Sequence, residues 1–146
     1  MITQSLSERR QQTNKLVQEL LDERKEVWSV YSHIAEMQPF QAEQPLEILV
    51  QQFCQVLIDY VSLAHFGIFQ RLGDGSERRQ RVLEVAEKIY PRLSAATEAA
   101  VQFNDTYERV EGDTLRRTLA QDLSKLGEEL AARFELEDQL IRSLMA

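Results

Sequence analysis

The sequence predicts an all-α protein, an antiparallel up-down-up-down four-helix bundle with long helices and a partly polar interior. Three observations carry that expectation. Apolar residues recur at steps of three and four through most of the chain, the spacing of a helical face. No segment alternates apolar and polar residues as a half-buried strand does. Turn-forming residues cluster at only three places, 38–45, 73–76 and 111–113, and so leave four long pieces. Connections this short make successive helices antiparallel neighbours. With 146 residues, the chain is expected to form a single domain over 1–146, large enough to bury a core without staples.

The first helix is expected over residues 5–37, where Leu6, Thr13, Leu16, Leu20, Val27, Tyr31 and Ile34 line one face. Arg24 falls inside that face. A buried unpaired charge is very costly, so Arg24 must either find a partner or snorkel to water. The second helix, over 45–72, is the longest apolar run. Leu46, Leu49, Val50, Phe53, Leu57, Tyr60, Val61, Ala64 and Ile68 form its stripe, and Pro45 suits the first turn, where its missing N–H costs nothing. Its apolar surface spreads beyond one stripe, which implies neighbours on two or three sides. Asp59 lies nearly opposite the stripe, with Ser62 and Phe66 along the same outward line. An aromatic on a polar line is either packed under a loop or kept for a partner. His65 sits at the stripe's flank, half inside.

A tight turn is expected at 73–76, with Asp74 and Glu77 as a capping box opening the third helix. Its stripe runs Val82, Ala86, Ile89, Leu93, Thr97, Ala100, Asn104 and Tyr107. The register continues across Pro91, which predicts one helix kinked there, with a break at that residue as the alternative. Asp113 is the expected N-cap of the fourth helix, whose stripe runs from Leu115 to Leu144. Arg133 and Glu137 stand near the centre of that stripe, four residues apart, and can pair. Arg24, His65, Asn104, Arg133 and Glu137 together make the expected polar interior.

Composition narrows the function. Hydrophobic residues at 43% and charged residues at 28% are ordinary for a globular chain and unlike a disordered one. The formal charge is −7 and no quarter of the chain is net positive, which argues against direct nucleic-acid binding and towards a partner with a basic surface. The single cysteine, Cys54, rules out an internal disulfide and fits a reducing cytoplasm. No signal pattern opens the chain, and no apolar run is expected to reach membrane-span length. A di-iron bundle needs two Glu-x-x-His motifs, but Val30 and Ser62 stand three residues before His33 and His65. There is no paired Cys/His set for zinc and no phosphate-binding glycine loop with its lysine. No metal, no cofactor and no enzymatic activity are expected. One alternative keeps a chemical role: a histidine phosphotransfer bundle using His65, although the basic residue expected just after such a histidine is absent.

Several segments resemble the Rsd/AlgQ anti-sigma factors of gammaproteobacteria. They are Asn14-Lys15-Leu16-Val17 with Glu23-Arg24, FCQVLIDYVSLAHFGIFQRL at 53–72, Ile89-Tyr90-Pro91, and LGEELAARFELEDQLI at 126–141. FCQVLIDYVS and Phe103-Asn104-Asp105 look closer to the pseudomonad AlgQ type than to the enteric one. The family's usual tail beyond the last helix has no counterpart in these residues. The resemblance implies a non-enzymatic helical protein that binds the primary housekeeping sigma factor of RNA polymerase, chiefly through region four. That region reads the promoter −35 element and docks on core polymerase. A cytoplasmic protein, acting as a monomer in slow-growing cells, is the corresponding expectation. Asp59, Ser62 and Phe66, inside the most specific matching segment, are the expected partner-binding residues.

Overall fold

In the computed structural model, residues 6–73, 75 and 77–146 are described, and among them the only regular structure is helical. The first helix, α1, spans Leu6–Glu36. Val17, Leu20, Val27 and Ile34 turn inward at intervals that keep one face on the core. The expected start at Ser5 lies outside the described residues. Gln44 ties down the connection to α2, accepting from Gln41 N–H at 2.8 Å and donating to the Met37 carbonyl at 3.1 Å.

Helix α2 begins at Leu46, with Pro45 just before it, and is α-helical over Leu46–Ala64. It then widens into a π-helical turn, His65–Phe69, in which Gln70 N–H reaches back five residues to the His65 carbonyl. A last α-helical turn, Gln70–Gly73, completes it. Nine residues of Leu46–Ala64 are buried, from Leu46 through Phe53 and Tyr60 to Ala64. This corrects one expectation: Leu46–Phe69, 24 residues long, is long and apolar enough to cross a membrane by length and composition. Its apolar face is instead the central wall of a packed bundle.

Gly75 adopts φ +85°, a conformation that side chains with a Cβ avoid, and so turns the chain towards α3. Asp74, half of the expected capping box, lies outside the described residues. Helix α3 spans Gln80–Tyr107 and starts later than expected, with Arg79 at its N-cap and no side-chain cap. Glu77 instead binds Arg79, whose Nη1 reaches across to the Leu144 carbonyl at 2.9 Å. Pro91 sits exposed within α3, which runs unbroken past it.

Helix α4 spans Gly112–Met145. The cap expected at Asp113 is a second correction. Glu111 occupies the N-cap without a side-chain bond, Gly112 makes the turn at φ +66°, and Asp113 lies in the first helical turn paired with Arg116. The Gly112 N–H is received by Glu47 of α2 at 2.9 Å. The helices pack in ring order, α1 on α2, α2 on α3, α3 on α4 and α4 on α1, which is the up-down-up-down bundle. Tyr31 of α1 lies over Gly127 of α4 and donates to the Leu123 carbonyl at 2.8 Å; a Cβ at Gly127 would fall 2.2 Å from its hydroxyl oxygen.

Candidate partner-binding surface

Helix α2 works on two sides at once. Its inner stripe is buried, and its outer line shows Ile48, Gln55, Asp59 and Phe66 to solvent, spaced seven, four and seven residues apart. Phe66 is 65% exposed and Ile48 70% exposed, so two large apolar side chains flank the Asp59 carboxylate on one outward line. At about 1.5 Å per residue they stand roughly 27 Å apart along the helix. Ser62 is half-buried between them. Gln55 donates to Asp59 Oδ1 at 2.9 Å, which orients the carboxylate without neutralising it.

Beside this line, α1 contributes Asp22, Glu23 and Glu26. Burial pushes the Glu23 carboxyl above its ordinary value, and the negative charges of Glu26, Asp59 and Asp22 push it the same way. None of the four carboxylates enters an ion pair among the described residues; Gln18 donates to Asp22 as Gln55 does to Asp59. Like charges held together raise one another's cost of ionisation. A cationic partner would relieve that repulsion. The sequence places Asp59 and Phe66 on this outward line, as the structure does, but did not single out Glu23, Glu26 and Ile48 beside them. Their places depend on how α1 is set against α2 and on which outer positions stay uncovered.

Behind α2 lies a polar layer. Arg133 and Glu137 are each 1% exposed. Arg133 Nε is 3.0 Å from Glu137 Oε2 and 3.0 Å from the Tyr60 hydroxyl, which in turn donates to the same carboxylate oxygen at 2.5 Å. Arg133 Nη1 donates to Thr97 Oγ1, and Thr97 passes its own proton to the Leu93 carbonyl at 2.8 Å. The guanidinium also lies 5.0 Å from the Tyr60 ring centroid and 5.8 Å from that of Phe69. Arg24 enters from α1. It donates to Asp138 at 2.8 Å and the Phe134 carbonyl at 3.3 Å, and approaches Glu137 Oε1 to 3.5 Å. Glu137 Oε1 has no hydrogen bond, so its compensation is that charge alone. Burial holds the Glu137 carboxyl above its ordinary value, against the opposing pull of Arg133, Tyr60 and Arg24.

Of the residues expected inside, the structure joins Arg24, Arg133 and Glu137 into one layer and leaves two out. Asn104 is half-buried on α3, apart from the network. The expectation for His65 is corrected: it is exposed, its ring edge-on to Phe66 at 4.8 Å. Across the start of the π-helical turn, Ala64 and Ile68 hold the core line while His65 and Phe66 turn out together. Among the described residues no three His, Cys, Asp or Glu side chains come together as a metal site. Burial pushes the Cys54 thiol up to about 11, which keeps it protonated and unreactive near neutral pH.

Residues 1–145 match the family described as "Regulator of RNA polymerase sigma(70) subunit, Rsd/AlgQ". Curated relatives named "Regulator of sigma D" resemble the chain throughout. The Yersinia enterocolitica protein is 36% identical over 145 residues, covering 95% of this chain and 86% of that protein. The Salmonella paratyphi A protein is 36% identical over 141 residues, covering 94% and 86%. The Enterobacter protein is also 36% identical over 141 residues, covering 94% and 85%. No solved structure matches. A four-helix bundle with an acidic, partly apolar outer face, matched over nearly its whole length, belongs to the Rsd/AlgQ family of regulators of the RNA polymerase sigma(70) subunit.

Proposed function

We propose that this protein is a cytoplasmic anti-sigma factor. It binds the primary housekeeping sigma factor of RNA polymerase, mainly through region four, and so blocks that region's contacts with the −35 element and with core polymerase. The observation that carries the reading is the outward line of α2: Asp59 between exposed Ile48 and Phe66, bordered by acids of α1 that enter no ion pair among the described residues. A helix-turn-helix that reads DNA presents a basic surface, and an acidic helical face competes for it. The printed names of the relatives, regulators of sigma, support the same partner. Action is by occupancy, with no bond made or broken.

Isothermal titration against the intact primary sigma factor, and against the same factor lacking region four, tests both halves of the reading. A saturable complex with the intact factor and its loss on deletion are expected. No heat with either would refute the partner. Equal binding to both would refute the role of region four.

A further inference from the structure

Between the widened end of α2 and the first half of α3 lies an open groove of about 250 Å³. Phe69 and Leu72 of α2, Leu83, Ala86 and Ile89 of α3, and Leu140 of α4 make its apolar lining. Arg133 holds Phe69 in place, its guanidinium 5.8 Å from the ring centroid. The partner-binding line faces elsewhere, towards α1, and none of its residues enters the groove.

Leu93 adds to that lining, and two residues of another kind complete it. Tyr90 is 66% exposed and offers an aromatic edge. Among the described residues, Glu87 is the only charged side chain in the lining and has neither an ion-pair nor a hydrogen-bond partner. Its backbone carbonyl is also short of a donor, because Pro91, four residues on, has no N–H to give. Arg92, five residues on, pairs with Glu129 at 2.6 Å, and Glu84, three residues before, accepts from Gln80. An apolar hollow thus ends at one residue that offers a carboxylate with no partner among the described residues and an undersupplied carbonyl.

We propose that this groove binds a small aromatic amine, with its ring on the apolar lining and its ammonium group on Glu87. Size sets the first limit. An apolar cavity of about 150 Å³ holds benzene, so the larger space here takes a bicyclic ring or a ring with a short chain, and nothing as long as a peptide. Phe69 and Tyr90 supply ring contacts from two helices, which favours a flat aromatic body. Glu87 sets the sign of the head group. A carboxylate ligand would meet like charge, and an uncharged ring would leave the acid unanswered.

The test is a nuclear magnetic resonance titration of the intact chain with tryptamine, indole and indole-3-acetate, which share one ring and differ in charge. Saturable amide shifts confined to residues 69–72, 83–93 and 140 are expected. Tryptamine should bind about threefold tighter than indole, the ratio an exposed ion pair supplies, and indole-3-acetate should bind weakest. Glu87→Gln should bring tryptamine down to the level of indole and leave indole unchanged. Ala86→Trp should fill the groove and abolish all three responses. Leu83→Lys, at a half-buried position, should repel tryptamine most and serves if the tryptophan variant does not fold. Shifts that scatter over the surface or fail to saturate would overturn the site. Equal affinity for the three probes, or indifference to Glu87→Gln, would overturn the amine.

Discussion

Replacing Arg133 with methionine takes the charge out of the bundle's centre while keeping a side chain of similar length. Arg133 is 1% exposed, and its guanidinium serves Glu137, Tyr60 and Thr97 together. After the change, Glu137 Oε2 keeps only the Tyr60 hydroxyl, and Oε1 keeps only Arg24 at 3.5 Å. Breaking a buried pair by removing one partner costs about 3–5 kcal/mol, because the remaining charge stays buried. With a urea slope of about 1–3 kcal/mol per molar, the unfolding midpoint should fall by about 1 M or more. Circular dichroism across a urea series reads it. The double variant Arg133→Met, Glu137→Met removes both charges and leaves Arg24 its bond to Asp138. Its loss should be smaller than the sum of the two single losses by about 0.5–3 kcal/mol, the range for residues in one network. A midpoint for Arg133→Met within error of the parent, or strictly additive single losses, would show that the layer is not a coupled unit.

Other expectations follow from single contacts. The raised Glu137 carboxyl keeps its proton to higher pH in the folded chain than in the unfolded one. Its contribution to stability is therefore full below the ordinary value of 4.5 and declines as pH rises through the folded value. The unfolding free energy relative to Glu137→Gln, followed by urea titration, should fall with rising pH over that window; a rise would mean that the arginines outweigh burial. Gly127→Ala should destabilise by about 1–3 kcal/mol by driving a methyl group into Tyr31, but in a Tyr31→Ala background it should stabilise by up to about 1 kcal/mol through helix propensity, as thermal melts would show. Phosphodonors such as acetyl phosphate should leave the intact mass unchanged; an acid-labile adduct lost in His65→Gln would revive the phosphotransfer reading.

The four helices were legible because their stripes are long and their breaks are few. Arg133 and Glu137 were legible for a sharper reason: two opposite charges, four apart at the centre of an apolar stripe, have nowhere to go but towards each other. Tyr60 was counted as apolar, so its hydroxyl's place in the network could not be read from the stripe. Tyr107 repeats the pattern: its ring is core, while its hydroxyl donates to Asp122 and, with burial the larger cause, titrates up at about 12. His65 was misplaced because it stands at the flank of the stripe, where burial depends on what packs beside the helix, and here it is left exposed. Asp113 looked like a cap because it follows a glycine, but Gly112 already makes the turn with its positive φ. The closeness of Glu23 to Asp59 depends on the relative setting of α1 and α2, which neither helix encodes alone.

The outer line of α2 carries the proposed sigma contact, and the salt dependence of sigma binding tests it. Dissociation constants for the intact primary sigma factor should be measured across a salt series for the parent, Asp59→Arg and Phe66→Ala, with circular dichroism of each. The parent should weaken as salt rises, since exposed charges are screened. Asp59→Arg should bind more weakly and with a flatter salt slope. Phe66→Ala, which removes a 65%-exposed ring, should lose about 2 kcal/mol or more, roughly thirtyfold in affinity, with the parent's slope unchanged. Undiminished affinity in both variants, with native helix content, would contradict the account and place the sigma factor on another face.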